Sequence, residues 1–268
     1  MNMNNDGYFD ERVAARYDES TAEMFDPAVV NPTVDFLAAL AGQGRALEFG
    51  IGTGRIAIPL AQRGVSVHGI DMSEAMAARL RAKPGSAGIG VTIGDFATAT
   101  PAGAPAGAPA GAPGGGGPSG GAFSLAYLIF NTIMNLTTQE AQVACFRNAA
   151  AHLVPGGCFV IEVMLPDLQR LPPGETVRPY PLSKTRLDFD EYNIAEQGLI
   201  SHHFELIDGR WERLSIPFRY VWPGELDLMA QLAGMRLRER WSGWRREPFT
   251  SDSQRLVAVW EVPFPSEE

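Results

Sequence analysis

Between residues 45 and 163, apolar residues come in short runs, each bounded by a glycine turn or by a stretch with helical spacing. Arg45–Phe49, Val67–Asp71, Ile89–Ile93, Phe123–Asn131 and Cys158–Val163 read as five strands. The fourth is apolar nearly throughout, as in a strand buried on both faces. Before the fifth, Ala141, Ala144, Cys145, Ala149 and Leu153 trace a helix. Thr137-Thr-Gln-Glu140 opens it as a capping box, and Pro155-Gly156-Gly157 stops it. Pro59 falls inside the helix after the first strand, where its missing donor should bend that helix. Strands alternating with helices in this way predict an α/β fold with a parallel sheet.

The pattern changes after residue 163. Leu171-Pro-Pro-Gly174 and Pro179-Tyr-Pro181 predict an irregular connection. Leu187–Tyr192, Leu199–Ile207 and Trp211–Val221 then read as antiparallel strands, the last two joined by an Asp208-Gly209 hairpin turn. A helix from Trp222-Pro223-Gly-Glu225 carries Leu226, Met229, Ala230 and Ala233 and stops at Gly234. Met235–Trp241 and Leu256–Val262 form a closing hairpin, and a helix near the start runs from about Asn31 through Val34, Leu37 and Leu40. Residues 101–121 are only alanine, glycine, proline and serine, with no large apolar side chain to offset the entropy of ordering. A flexible surface loop is expected there.

The chemistry concentrates at Glu48-x-Gly50-x-Gly52-x-Gly54. Three alternate positions without Cβ let the chain turn sharply after the first strand and approach a ligand closely. Asp71, ending the second strand, can accept hydrogen bonds from both hydroxyls of a ribose. The third glycine comes one residue too early for a dinucleotide fingerprint, and Arg55 stands where that fingerprint wants glycine. The alternative is a Rossmann domain that binds a different nucleotide. The spacing resembles motif I of the class I S-adenosylmethionine (SAM) methyltransferases. Gly94-Asp95-Phe96 after the third strand and the Leu-x-Pro-Gly-Gly turn before the fifth are similar to further motifs of that family. Ser124 departs from it, since members often carry aspartate there, and local packing is the expected casualty.

The resemblance implies a Rossmann-like, seven-stranded, mostly parallel sheet with helices on both faces, an antiparallel last strand, and a small antiparallel β lid inserted after strand five. That lid resembles the one in small-molecule enzymes such as the sugar N,N-dimethyltransferases and the glycine N-methyltransferase group. The division it suggests is an N-terminal helical cap (1–44), a SAM-binding core (45–163), the lid (164–222) and a C-terminal helix and edge hairpin (223–268). SAM is the implied cofactor. Its implied contacts are Arg16 and Tyr17 on an N-terminal helix, Glu48, Gly50, Gly52, Thr53, Gly54, Asp71, Met72, Asp95, Phe96, Phe130 and Asn131.

Methyl transfer is an in-line displacement, so positioning supplies much of the acceleration and the acceptor's proton is the remaining problem. Tyr17, Glu162 and His203 are the candidate catalytic residues. Neighbouring strand residues face opposite ways, so at most one of His202 and His203 can enter the pocket. The formal net charge of −9 argues against a phosphate backbone as partner. A small-molecule acceptor modified at nitrogen, oxygen or electron-rich carbon is the expected substrate, with specialised metabolism as the expected setting. A SAM-binding protein without turnover and a protein methyltransferase are the alternatives. Cys145 and Cys158 lack metal-ligand spacing and read as core residues, no metal is expected, and no apolar run is long enough to span a membrane. A cytoplasmic protein is expected, and a homodimer is left open.

Overall fold

The structure, a computed structural model, describes residues 8–101, 123–180 and 182–265, so the expected loop at 101–121 lies, apart from Pro101, outside the described residues. Seven strands form one sheet: β1 (Arg45–Phe49), β2 (Ser66–Asp71), β3 (Gly90–Ile93), β4 (Phe123–Leu128), β5 (Leu153–Met164), β10 (Arg236–Trp241) and β11 (Arg255–Glu261). Their order is β10-β11-β5-β4-β1-β2-β3, and β11 runs antiparallel to both its neighbours while the pairs among β1–β5 are parallel. The order reverses at β1 and β4, and ligands of open α/β sheets bind at the carboxyl ends of the strands at such a point.

Strand alternation divides the core. Phe159, Ile161, Leu256, Ala258 and Trp260 face helices α5 (Gln139–His152) and α6 (Pro223–Leu232). Cys158, Val160, Val257 and Val259 face α2 (Pro27–Ala41) and α3 (Ala57–Gln62) on the other side. Phe146, Phe159 and Trp260 meet with ring centroids 5.1–6.4 Å apart, two of the three contacts edge-on. Both cysteines are buried and free.

Several boundaries move for identifiable reasons. Helix α2 starts at Pro27, a turn earlier than Asn31, because Asp26 caps it by accepting from Ala28 N at 2.7 Å and Pro27 fits a first turn. Helix α5 is capped by Thr138, which accepts from Ala141 N at 3.1 Å; Ala141 then stands where a capping box needs Glu or Gln, so the box read on Thr137 and Glu140 gives way to a simple threonine cap. Pro59 is the third residue of α3, in its first turn, and the helix continues past it to Gln62. The Ser124 hydroxyl donates to Ala41 O at 2.8 Å, and a Cβ at Gly44 would lie 2.2 Å from it, so this family departure does act on local packing.

A second, antiparallel sheet, in the order β6-β7-β8-β9, follows β5. It comprises β6 (Val177–Pro179), β7 (Arg186–Asn193), β8 (Gly198–Ile207) and β9 (Arg210–Arg219). Strand β6 lies in the segment expected to be irregular. Asp208 (φ 50°) and Gly209 (φ 76°) make the two-residue turn between β8 and β9. Buried Arg219 fastens this sheet to the first domain layer, donating to Gln142 on α5 and, at 2.7 Å, to Glu225 on α6. The Glu225 carboxyl is desolvated, but hydrogen bonds from Arg219, Gln197 and Gln139 outweigh that and hold it below its ordinary value. Among the described residues, no helix is long and apolar enough to cross a membrane.

Candidate active site

At the end of β1 the chain turns through three residues with positive φ. Gly50 (φ 71°) and Gly54 (φ 82°) have no room for a side chain: a Cβ would lie 2.6 Å from Thr132 Cγ2 or 2.9 Å from Leu80 Cγ. Gly52 N donates to Asp71 Oδ2 at 2.7 Å and Ser73 N to Asp71 Oδ1 at 2.8 Å, so one carboxylate sets both the glycine loop and the turn after β2.

Across the crevice, β4 ends at Leu128 and not at Asn131. Phe130 (φ 57°) and Asn131 (φ 63°) form a left-handed corner, a conformation that costs ordinary residues about 1–3 kcal/mol each and marks functional sites. Glu162 holds the corner: its Oε2 accepts from Phe130 N at 3.1 Å, its backbone oxygen from Asn131 N at 3.3 Å, and its Oε1 lies 3.8 Å from Arg255. Asn131 Oδ1 accepts from Met164 N at 2.6 Å.

Helix α1 (Glu11–Ser20) crosses above the loop. Asp18 accepts from Thr53 Oγ1 at 2.6 Å and pairs with Lys83, which also donates to Thr53 O at 2.9 Å. On the other side, Arg12 reaches Glu212 at 3.2 Å and Arg16 reaches Glu205 at 3.9 Å, both on the second sheet. Tyr17 is half-buried with its ring edge-on to Phe9 at 6.3 Å. Desolvation raises its hydroxyl above the ordinary value, partly opposed by Arg55.

The second sheet covers the crevice with its polar face inward. Asp188, Asp190 and Tyr192 are buried, whereas Leu187 is exposed, which reverses the usual polarity of a strand. Across the ladder, Asp188 is paired with His203 and Asp190 with Ser201. His203 Nδ1 lies 3.3 Å from Asp188 Oδ1, and Nε2 lies 3.2 Å from Ser201 Oγ. Tyr180 donates to Asp190 Oδ2. Burial raises the Asp190 carboxyl and, with Asp190 adding to it, pushes Tyr192 up to about 12. His202 points elsewhere, with Nδ1 2.8 Å from Ser215 Oγ.

These elements enclose a cavity of about 920 Å³. Arg16, Tyr17, Gly50, Gly52, Asp71, Met72, Phe96, Phe130, Asn131 and His203 line it. Glu48, Thr53, Gly54, Asp95 and Glu162 do not. Glu48 is buried under the loop, where it accepts from Tyr127 at 2.9 Å, and burial raises its carboxyl to about 8. Gly54 packs on α4 (Glu74–Arg81), and Asp95 Oδ1 accepts from Ala97 N at 2.8 Å. Asp188, Asp190 and Tyr180 also line the cavity and were not anticipated. Their signal was the inverted alternation Leu187-Asp-Phe-Asp-Glu-Tyr192.

Comparison with known proteins identifies this arrangement. The CcbJ methyltransferase from Streptomyces caelestis is 32% identical, with 97% of this chain and all of that chain covered and a TM-score of 0.81. The chain is a SAM-dependent methyltransferase. A family model described as a methyltransferase domain matches residues 46–105. The cypemycin N-terminal methyltransferase of a Streptomyces species is 24% identical over 255 residues, which is 91% of this chain and 97% of that protein. A SAM-bound amino pentose methyltransferase of Micromonospora echinaspora shares the fold, with 19% identity, a TM-score of 0.64 and coverage of 92% and 95%. SAM is therefore the cofactor of this methyltransferase, and the cavity lining is chemically compatible with it: bare backbone at Gly50 and Gly52, the Asp71 carboxylate, and the apolar side chains of Met72 and Phe96.

Proposed function

We propose that this methyltransferase modifies an amine nitrogen of a small molecule bound between the seven-stranded core and the second sheet. Enclosure carries the reading: helix α1 and the second sheet roof a cavity of about 920 Å³, a size suited to a cofactor and a compact acceptor. Two relatives named above carry nitrogen or amino chemistry in their names, an N-terminal methyltransferase and an amino pentose methyltransferase. The second of these belongs to calicheamicin biosynthesis, which favours a role in specialised metabolism. A net charge of −9 disfavours nucleic acid as acceptor, and a cytoplasmic location accords with the absence of a membrane-spanning helix among the described residues.

In this reading residues 1–44 act as a cap, 45–163 with 223–268 as the core, and 164–222 as the lid. Asp71 holds the ribose, Gly50 and Gly52 admit the methionine portion, and Met72 and Phe96 flank the adenine, with Asp95 beside its amino group. Arg16, Tyr17, Phe130 and Asn131 close the cofactor side. Glu48, Thr53 and Gly54 act from beneath by fixing the loop. Bound there, SAM supplies an activated methyl group on a positively charged sulfur.

The chain's own task is to present a neutral nitrogen in line with that methyl group and to accept its proton. His203 is the base: Asp188 beside Nδ1 orients the ring, and Nε2, which exchanges its Ser201 hydroxyl contact for the acceptor, takes the proton from an ammonium, whose N–H pair becomes the attacking lone pair. Tyr17 orients the acceptor. Glu162, whose carboxylate is engaged by Phe130 N and Arg255, keeps the corner in shape instead of acting as a base.

The peptide amino terminus is the second reading, favoured by the cypemycin enzyme's name. A radiolabelled methyl-transfer screen over amino sugars, cyclic amines, peptide amino termini, phenols and indoles tests both. Label on nitrogen of the small amines is expected, and label only on oxygen, on carbon or on peptides overturns the reading.

A further inference from the structure

We infer that the cavity face of the second sheet is a subsite for an organic ammonium group, with Asp190 as its counter-ion and Asp188 and His203 beside it. The inference deepens the reading above and rests on it for the identity of the occupant.

Three polar atoms carry it. Asp190 Oδ1 is buried with no hydrogen-bond partner among the described residues, and Asp188 Oδ1 and His203 Nδ1, also buried, have only each other at 3.3 Å. The two aspartates are 8% and 5% exposed, and both line the cavity. Both carboxylates sit two residues apart on β7 and therefore share one face of the sheet. Burying a carboxylate oxygen without a donor is costly, and two such groups on one face add mutual repulsion. A resident cation could remove the difficulty, but among the described residues no arginine on the wall pairs with Asp190, Arg213 included, although it lines the cavity without an ion pair of its own. Arg12 pairs with Glu212, Arg16 with Glu205, Arg178 with Asp167, and Arg186 takes the outer oxygen of Asp188 at 2.6 Å. Asp190 has no ion pair among the described residues; the Tyr180 hydroxyl donates to its Oδ2, and the Ser201 hydroxyl also acts on this carboxyl.

The missing partner must bring positive charge and more than one N–H donor. A metal ion does not fit, since no grouping of three ligating side chains occurs among the described residues. A neutral polyol would satisfy lone pairs yet leave the charge of Asp190 uncompensated. A primary or secondary ammonium answers both needs. Tyr180, Tyr192, Phe218 and Tyr220, also on the wall, offer aromatic faces to its carbon frame and its charge.

Titration calorimetry on the protein saturated with S-adenosylhomocysteine tests this with matched probes: tyramine against tyrosol, cyclohexylamine against cyclohexanol, glucosamine against glucose. At least one amine is expected to bind about tenfold to a hundredfold more tightly than its hydroxyl counterpart, as a charge-assisted contact gives. Asp190→Asn should abolish that preference and Asp188→Asn reduce it, with affinity for S-adenosylhomocysteine unchanged. If no amine outbinds its counterpart on the wild-type protein, or if Asp190→Asn keeps the preference, the subsite is wrong. The wild-type comparison decides even if a variant fails to fold. Ammonium preference with label landing on oxygen or carbon overturns the nitrogen reading and leaves the subsite standing. Label on nitrogen without the preference does the reverse.

Discussion

The Tyr127 hydroxyl donates to Glu48 Oε2 at 2.9 Å between two side chains that are also register partners on the adjacent parallel strands β4 and β1. Both are buried beneath the glycine loop, so the pair forms the floor under the cofactor site.

Desolvation raises the Glu48 carboxyl from 4.5 to about 8, so the folded protein keeps this proton at neutral pH while the unfolded chain has lost it. Stability from this group is therefore full below about pH 4.5 and declines as pH climbs toward 8. Glu48→Gln should flatten that decline. Thermal unfolding of both proteins from pH 6 to 8.5 checks it, and parallel curves would refute the assignment.

Gly50→Ala should weaken SAM binding about tenfold or more. Its φ of 71° costs an L residue ~1–2 kcal/mol, and the new methyl would sit 2.6 Å from Thr132 Cγ2. Thr132→Ala in the same chain should recover the steric part and not the conformational part, a partial rescue that calorimetry can read.

Asp71→Ala should cost more than a lost ligand contact, because it also frees Gly52 N and Ser73 N. SAM affinity is expected to fall about tenfold to a hundredfold, in line with loss of hydrogen bonds to a charged group. Unchanged affinity would remove Asp71 from the ribose.

Arg219→Met leaves the Glu225 carboxylate largely buried without its cation and should destabilise the fold by about 3–5 kcal/mol. The wild-type pair itself should weaken in acid. The Glu225 carboxyl is held below its ordinary 4.5, so its contribution is present above that pH and fades as pH falls through the folded value. Denaturant titrations at pH 7 and pH 3.5 measure both effects, and a variant as stable as wild type at pH 7 would contradict them.

Much of the fold was legible because its strands are apolar runs buried on both faces, and each run is punctuated by glycine or proline. The elements that slipped were those decided by tertiary contact. Strand β4 reads as continuing to Asn131 because Ile129 and Phe130 are apolar, yet Glu162, 32 residues beyond Phe130, holds the turned chain there. Strand β6 is three residues long and pairs only because β7 lies alongside. In the site, the glycines and Asp71 announced themselves through local backbone geometry. Asp188 and Asp190 did not, since a carboxylate on a strand ordinarily faces solvent and only the covering of the crevice turns that face inward.

Helix α1 grips the glycine loop through Asp18 at its far end and the second sheet through Arg12 and Arg16. Ten residues thus tie the floor of the cavity to its roof, so a substitution that loosens either end of this strut is transmitted to the opposite wall.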